Sequence, residues 1–121
     1  MRIYHPLGKK GEDIACEFLK KHGYSIIERN FRRSYAEIDI IAVKDETLVF
    51  IEVKTRTSSQ FGTPLESITY WKLRPLIKTA QFYAKIHPKL PQLLRIDAIA
   101  VSMDGNGGRE KIEHVENITG F

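Results

Sequence analysis

Glu37-Ile38-Asp39 and Glu52-Val53-Lys54 are two short acidic runs that flank what reads as one β-hairpin. Residues 36–43 (AEIDIIAV) and 47–55 (TLVFIEVKT) are its expected strands, with Lys44-Asp45-Glu46 as the polar turn. If Lys44 faces Thr47, Asp39 lies opposite Glu52 and Glu37 opposite Lys54. Strand side chains alternate, so 37/39 and 52/54 are expected to share one face. Directly opposed β-carbons lie about 5 Å apart, and like charges there repel unless something positive sits between them. Three acids and a lysine converging at one end of a sheet are the constellation of a divalent-metal site for phosphodiester cleavage.

That chemistry needs a cation to offset charge on the phosphate and to lower the pKa of an attacking water. Mg2+ or Mn2+ suits it, because hard cations take carboxylate oxygens and keep several waters. Asp39 and Glu52 are the expected metal ligands. Val53, with its side chain on the other face, offers a backbone carbonyl. Lys54 is placed to hold or deprotonate the water, or to neutralise phosphate charge. No His or Cys cluster with zinc spacing competes.

Asp, a gap and Glu-x-Lys is a loose pattern, and Glu/Lys alternation is ordinary on the solvated face of an antiparallel strand. The neighbouring residues argue for more. Leu48-Val49-Phe50-Ile51 and Ile38-Ile40-Ile41 are apolar on both faces, as in strands buried within a layered α/β domain.

On these residues the chain resembles the PD-(D/E)XK nuclease superfamily. Within it the resemblance is strongest to the YraN-like family of small bacterial proteins, itself similar to archaeal Holliday-junction resolvases. Six stretches carry it: residues 11–15 (GEDIA), 30–32 (NFR), 37–41 (EIDII), 50–56 (FIEVKTR), 95–97 (RID) and 114–117 (HVEN). Ala36 stands where a glycine is usual, and Pro75 interrupts a helix usually rich in arginine. The resemblance implies a restriction-endonuclease-like fold and a metal-dependent endonuclease acting on DNA, in branched or repair intermediates. Resolvases cut symmetric junctions as dimers, so a homodimer is implied by analogy, and a protein partner is a further expectation for a domain this small.

At 121 residues the chain is expected to form a single domain, residues 1–121, with one core. No apolar run approaches membrane-spanning length and no signal-peptide pattern opens the chain, so membrane association is not expected and a cytoplasmic location is. The lone Cys16 excludes an internal disulfide, and a packed thiol is the better reading than a nucleophile. A net charge of +4 permits a polyanionic partner, and most of the basic residues precede position 80, around the acidic runs. Arg32, Arg56 and Lys72 are the expected nucleic-acid contacts; a solvated turn and surface side chains are the plain alternatives.

The elements that must position these residues follow from pattern. Residues 8–22 read as a helix with Ile14, Ala15, Phe18 and Leu19 as its apolar stripe and Gly23 as its stop. Glu12 projects within roughly 20° of Leu19 and could serve as a further acid at the site; its alternative is an N-terminal helix acid favoured by the dipole. Residues 24–31 are a first strand, and 57–63 a polar loop. Residues 64–87 are helical, with Pro75 expected to break them or to open a second helix after a cap at Thr69. Trp71 is expected in the core or an interface rather than as a base-stacking platform. Residues 94–103 are a buried strand whose Asp97 is expected to bond Arg95 or a neighbouring strand in a structural role. After a glycine-rich turn, 111–118 form an edge strand with His114 and Glu116 on one side. The fold expected is α/β, a mixed sheet sandwiched by helices in αβββαββ order. The rival to an endonuclease is a non-catalytic nucleic-acid-binding module of the same fold, and beyond that an adaptor in which the acids are incidental.

Overall fold

The computed structural model describes residues 6–34, 36–56, 70–103 and 110–119. The expected loop 57–63, the cap at Thr69, the turn at 104–108 and Tyr35 lie outside the described residues. The order is α1 (Pro6–Lys21), β1 (Ser25–Arg33), β2 (Ala36–Lys44), β3 (Thr47–Arg56), α2 (Tyr70–Ile86), β4 (Leu93–Met103) and β5 (Glu110–Val115). The five strands form one sheet in sequence order. β3 and β4 are parallel, and every other neighbouring pair is antiparallel. This mixed sheet with a helix on each face is the α/β class expected.

α1 ends where the sequence places its stop. Gly23 has φ 87 and its N–H bonds the Lys20 carbonyl, while the Tyr24 N–H reaches back to Leu19. That pair of bonds closes the last turn, and only a residue without a β-carbon adopts such a φ freely. Ala15, Cys16 and Leu19 then pack with Ile40, Ala42, Val49, Ile51, Ile99 and Val101 on one face of the sheet. On the other face, Leu76, Ala80, Tyr83 and Ala84 of α2 cover Ile38, Ile41, Leu48, Phe50 and Ile96. β2 and β3 therefore bury apolar residues on both sides, as their near-continuous hydrophobic sequences require.

The hairpin register is the expected one, running from Lys44↔Thr47 to Ile40↔Ile51. Asp45 takes φ 54 in the turn, a conformation short polar side chains tolerate. Three expectations need correction. Pro75 does not break the helix: α2 is continuous through it. Its ring is exposed on the solvent side of the helix, and Thr79 Oγ1 donates to the Pro75 carbonyl at 2.8 Å. Of the two places expected for Trp71, the core is ruled out, because it is 73% exposed. The last strand stops at Val115, because the Ile118 N–H turns to the Ile96 carbonyl.

Candidate metal centre

Asp39 sits where β2 and β3 part. The paired ladder ends at Ile40↔Ile51, and beyond it the Val53 N–H donates to Asp39 Oδ2 at 2.7 Å in place of a backbone carbonyl. The packing of β2 shows a change of face at this point. Ile38 packs against α2, yet Ile40 packs against α1, so two residues of the same parity lie on opposite faces. The alternation slips between them, at Asp39. Its would-be neighbour on β1, Asn30, takes φ 55, and the β1–β2 pairing skips that position between Arg29↔Ile40 and Phe31↔Ile38. A left-handed residue inside a strand bends the backbone locally.

The slip decides which acids meet. Glu12, Glu37 and Asp39 each offer a carboxylate oxygen within 4.8 Å of the others. Asn30 Nδ2 donates to Glu12 Oε1 at 2.8 Å and, longer, to Glu37 Oε1 at 3.4 Å, tying α1 to the cluster. Gly11 lets α1 come this close: a β-carbon there would lie 1.9 Å from Thr55 Oγ1 and 2.9 Å from Thr55 Cβ. Glu12 is consequently buried. It lies in the second turn of a helix that begins at Pro6, beyond the reach of the first-turn dipole that offered its plain alternative.

Glu52 and Lys54 belong to the other side of this junction. Val49, Ile51 and Val53 pack toward α1, and Leu48 and Phe50 toward α2, so alternation turns Glu52 and Lys54 toward α2. The single shared face expected for 37/39 and 52/54 is thus corrected: the slip at Asp39 splits them. Lys54 Nζ lies 3.3 Å from Glu52 Oε1, with both side chains largely buried. Glu52 stands outside the three-carboxylate cluster but remains the strongest charge acting on Asp39. Burial first, then Glu52, push the Asp39 carboxyl up to about 8, against the Val53 N–H, which favours the charged form. Burial likewise raises Glu52, with Lys54 and then Lys72 opposing it. Acids forced together in this way gain most from a cation that relieves their repulsion, and three hard oxygens suit Mg2+ or Mn2+.

The expected nucleic-acid contacts are spread around this point. Arg32 is exposed on β1 across from Glu37, Arg56 is half-buried at the end of β3, and Lys72 is exposed on α2 within electrostatic reach of Glu52. Two contributors were not singled out from sequence. Asn30 holds the cluster, and in a strand as polar as β1 nothing in its sequence sets it apart. Arg29 donates to Asp13 at 2.8 Å and lies 3.6 Å from Glu12, a fixed positive charge at the rim. Cys16 is buried, and burial pushes its thiol up, which suits packing and not nucleophilic attack.

Asp97 is fully buried and has its four partners within the fold. Arg95 donates from Nε and Nη2 at 2.9 Å each, the Asn117 N–H at 2.9 Å, and His114 Nε2 lies 2.8 Å away. This is the structural role expected from sequence, and it draws His114 in from the edge strand.

The sequence profile of the uncharacterised protein family UPF0102 matches residues 11–101. A UPF0102 protein of Syntrophomonas wolfei is 40% identical over 111 residues, covering 92% of this chain and 95% of its own. One from Chlorobium phaeobacteroides is 44% identical over 119 residues, covering 95% and 94%. Among solved structures, Pyrococcus furiosus SfsA in complex with Ca2+ is similar at 21% identity and a TM-score of 0.42, over 91% of this chain and 62% of that one. That overlap is too slight to argue from.

Proposed function

The chain belongs to the uncharacterised protein family UPF0102, and from its site we propose that it is a divalent-metal-dependent endonuclease of the PD-(D/E)XK type, hydrolysing DNA phosphodiester bonds. The observation that carries this reading is the meeting of Glu12, Glu37 and Asp39 within 4.8 Å of one another, beside the buried Glu52–Lys54 pair. Glu12, Glu37 and Asp39 would hold the cation, with Glu52 and the Val53 carbonyl as further oxygens at its edge. A bound Mg2+ or Mn2+ supplies a water of lowered pKa and offsets charge on the phosphate. Val53 fixes the Asp39 carboxylate through its N–H, and Asn30 fixes Glu12 and Glu37. Lys54, anchored by Glu52, presents an ammonium where a scissile phosphate or its attacking water would lie. Arg32, Arg56 and Lys72 would contact the flanking phosphates. A cytoplasmic location fits a DNA substrate, and among the described residues no helix is long and apolar enough to cross a membrane.

The test is a panel of labelled linear, nicked, flapped and four-way DNAs incubated with Mg2+ or Mn2+. Wild type should cut at least one, and Glu52→Ala and Lys54→Met should abolish the cuts while leaving far-UV circular dichroism unchanged. Retention of the DNA without any cuts would favour a non-catalytic binding module of the same fold. A homodimer or a protein partner would show as a change in sedimentation on adding four-way DNA or cell extract.

A further inference from the structure

A groove of about 560 Å³ opens between α2 and the end of the β1–β2 hairpin. Trp71, Arg74, Pro75 and Lys78 line it from one helix face, at the i, i+3, i+4, i+7 spacing. Arg33 and Ala36 line it from the hairpin. The Arg33 guanidinium carbon stands 3.3 Å from the Phe82 ring centroid, which holds that charge in place. Three of the lining side chains are cationic and none of the described ones is acidic. The indole is 73% exposed, on a chain whose other tryptophan count is nil. Ala36 adjoins Glu37 of the acid cluster, and Lys72, next to Trp71, acts electrostatically on Glu52. The groove therefore lies on the α2 side of the sheet, the side toward which Glu52 and Lys54 turn.

An aromatic face amid fixed cations recognises one chemistry well. Bases stack on the ring without regard to sequence, and the cations track the phosphates. A duplex hides its base faces, so the occupant must present them unstacked. We propose that this groove binds a single-stranded segment of a polynucleotide, with Trp71 as the stacking platform and Arg33, Arg74 and Lys78 on the backbone phosphates. The volume falls within the ~300–1,000 Å³ usual for ligand clefts, which accommodates a base with its sugar and phosphate. That the bound strand is the substrate rests on the nuclease reading; the binding itself does not.

Trp71 is the sole tryptophan, so intrinsic fluorescence reports this position alone. In EDTA, where no metal-dependent cleavage can occur, oligo(dT) should quench it saturably, and a duplex of equal length should bind more weakly and leave it unchanged. By anisotropy of labelled oligo(dT), Trp71→Ala should weaken binding about 5- to 100-fold, and Trp71→Phe should restore most of it. Arg74→Gln and Lys78→Gln should each flatten the salt dependence by about 0.7 in logarithmic slope. Oligo(U) run beside oligo(dT) identifies the sugar by its tighter partner. Absent quenching, or equal affinity in Trp71→Ala, overturns the proposal. Stacking at Trp71 without cleavage in any metal would overturn the nuclease reading alone, and cleavage with a silent Trp71 would overturn the groove alone.

Discussion

Replacing Asp97 by Asn separates what holds this fold from what its acid cluster does. The buried carboxylate accepts from Arg95 at both oxygens, from the Asn117 N–H at Oδ1, and faces His114 Nε2 at Oδ2. An asparagine of the same shape has only one oxygen. Its NH2 must therefore point at two groups that had faced an acceptor. Turned toward Oδ2, it meets His114, which can accept as a neutral tautomer, but also Arg95 Nη2, which cannot. Turned toward Oδ1, it meets Arg95 Nε and the Asn117 N–H, neither of which accepts. Either way the Arg95 guanidinium loses its buried counter-charge and keeps only the exposed Glu116 carboxylate, 3.3 Å from Nη2. Breaking a buried ion pair from one side costs ~3–5 kcal/mol. For a domain of this size, at about 3–5 °C per kcal/mol, the midpoint of thermal unfolding should fall by about 9–25 °C. Differential scanning calorimetry in EDTA measures it. The pH dependence gives a second reading. Burial works against the charge, yet hydrogen bonds from His114, Arg95 and Asn117 hold the Asp97 carboxyl below its ordinary value of 3.8. Its stabilisation is present above that value and lost as pH falls through the lowered one. Asp97→Asn should lack this acid-limb loss while binding divalent metal as wild type does. A midpoint shift under 3 °C (roughly the effect of 1 kcal/mol) would refute the reasoning, as would loss of metal binding in a folded variant.

Asp39→Asn should act in the opposite sense. Burial and the Glu52 charge raise Asp39 to about 8, so in EDTA the folded state keeps a proton that the unfolded chain loses. Wild-type stability should then decline as pH rises from about 4 to about 8, and urea midpoints at pH 5.5 and 8.5 should show a smaller decline in Asp39→Asn; equal declines would contradict the assignment. Gly11→Ala forces a β-carbon against Thr55, so it should destabilise by ~1–3 kcal/mol in urea unfolding and weaken metal binding by moving Glu12. Thr55→Ala should recover part of both losses, and a Gly11→Ala protein as stable as wild type would count against the close approach of α1.

The sheet and its hairpin were legible because their causes are local. Two apolar runs of matched length around a polar turn fix the register from Lys44 to Thr47, and the observed ladder keeps it. Asp97 was legible too, since an acid in a largely apolar strand must find donors nearby, and Arg95 is two residues away. The face reversal at Asp39 was not. It depends on a left-handed Asn30 one strand over, a non-local event that no alternation rule contains. The core alternative for Trp71 failed for a related reason: helical periodicity groups it with apolar side chains, but periodicity does not say how far along the helix the packed face extends. Pro75 was assigned too large an effect: its ring faces solvent, not the core, and the helix runs on through it.

The most direct test of the metal centre is Mn2+ binding followed by electron paramagnetic resonance, on wild type and on Asp39→Asn and Glu12→Gln. Wild type should bind Mn2+ saturably near neutral pH, displaced by Mg2+, and either variant should bind at least tenfold more weakly (about 1.4 kcal/mol). Wild type that takes up no Mn2+, or variants that bind it as tightly, would contradict the assignment of Glu12, Glu37 and Asp39 as its ligands.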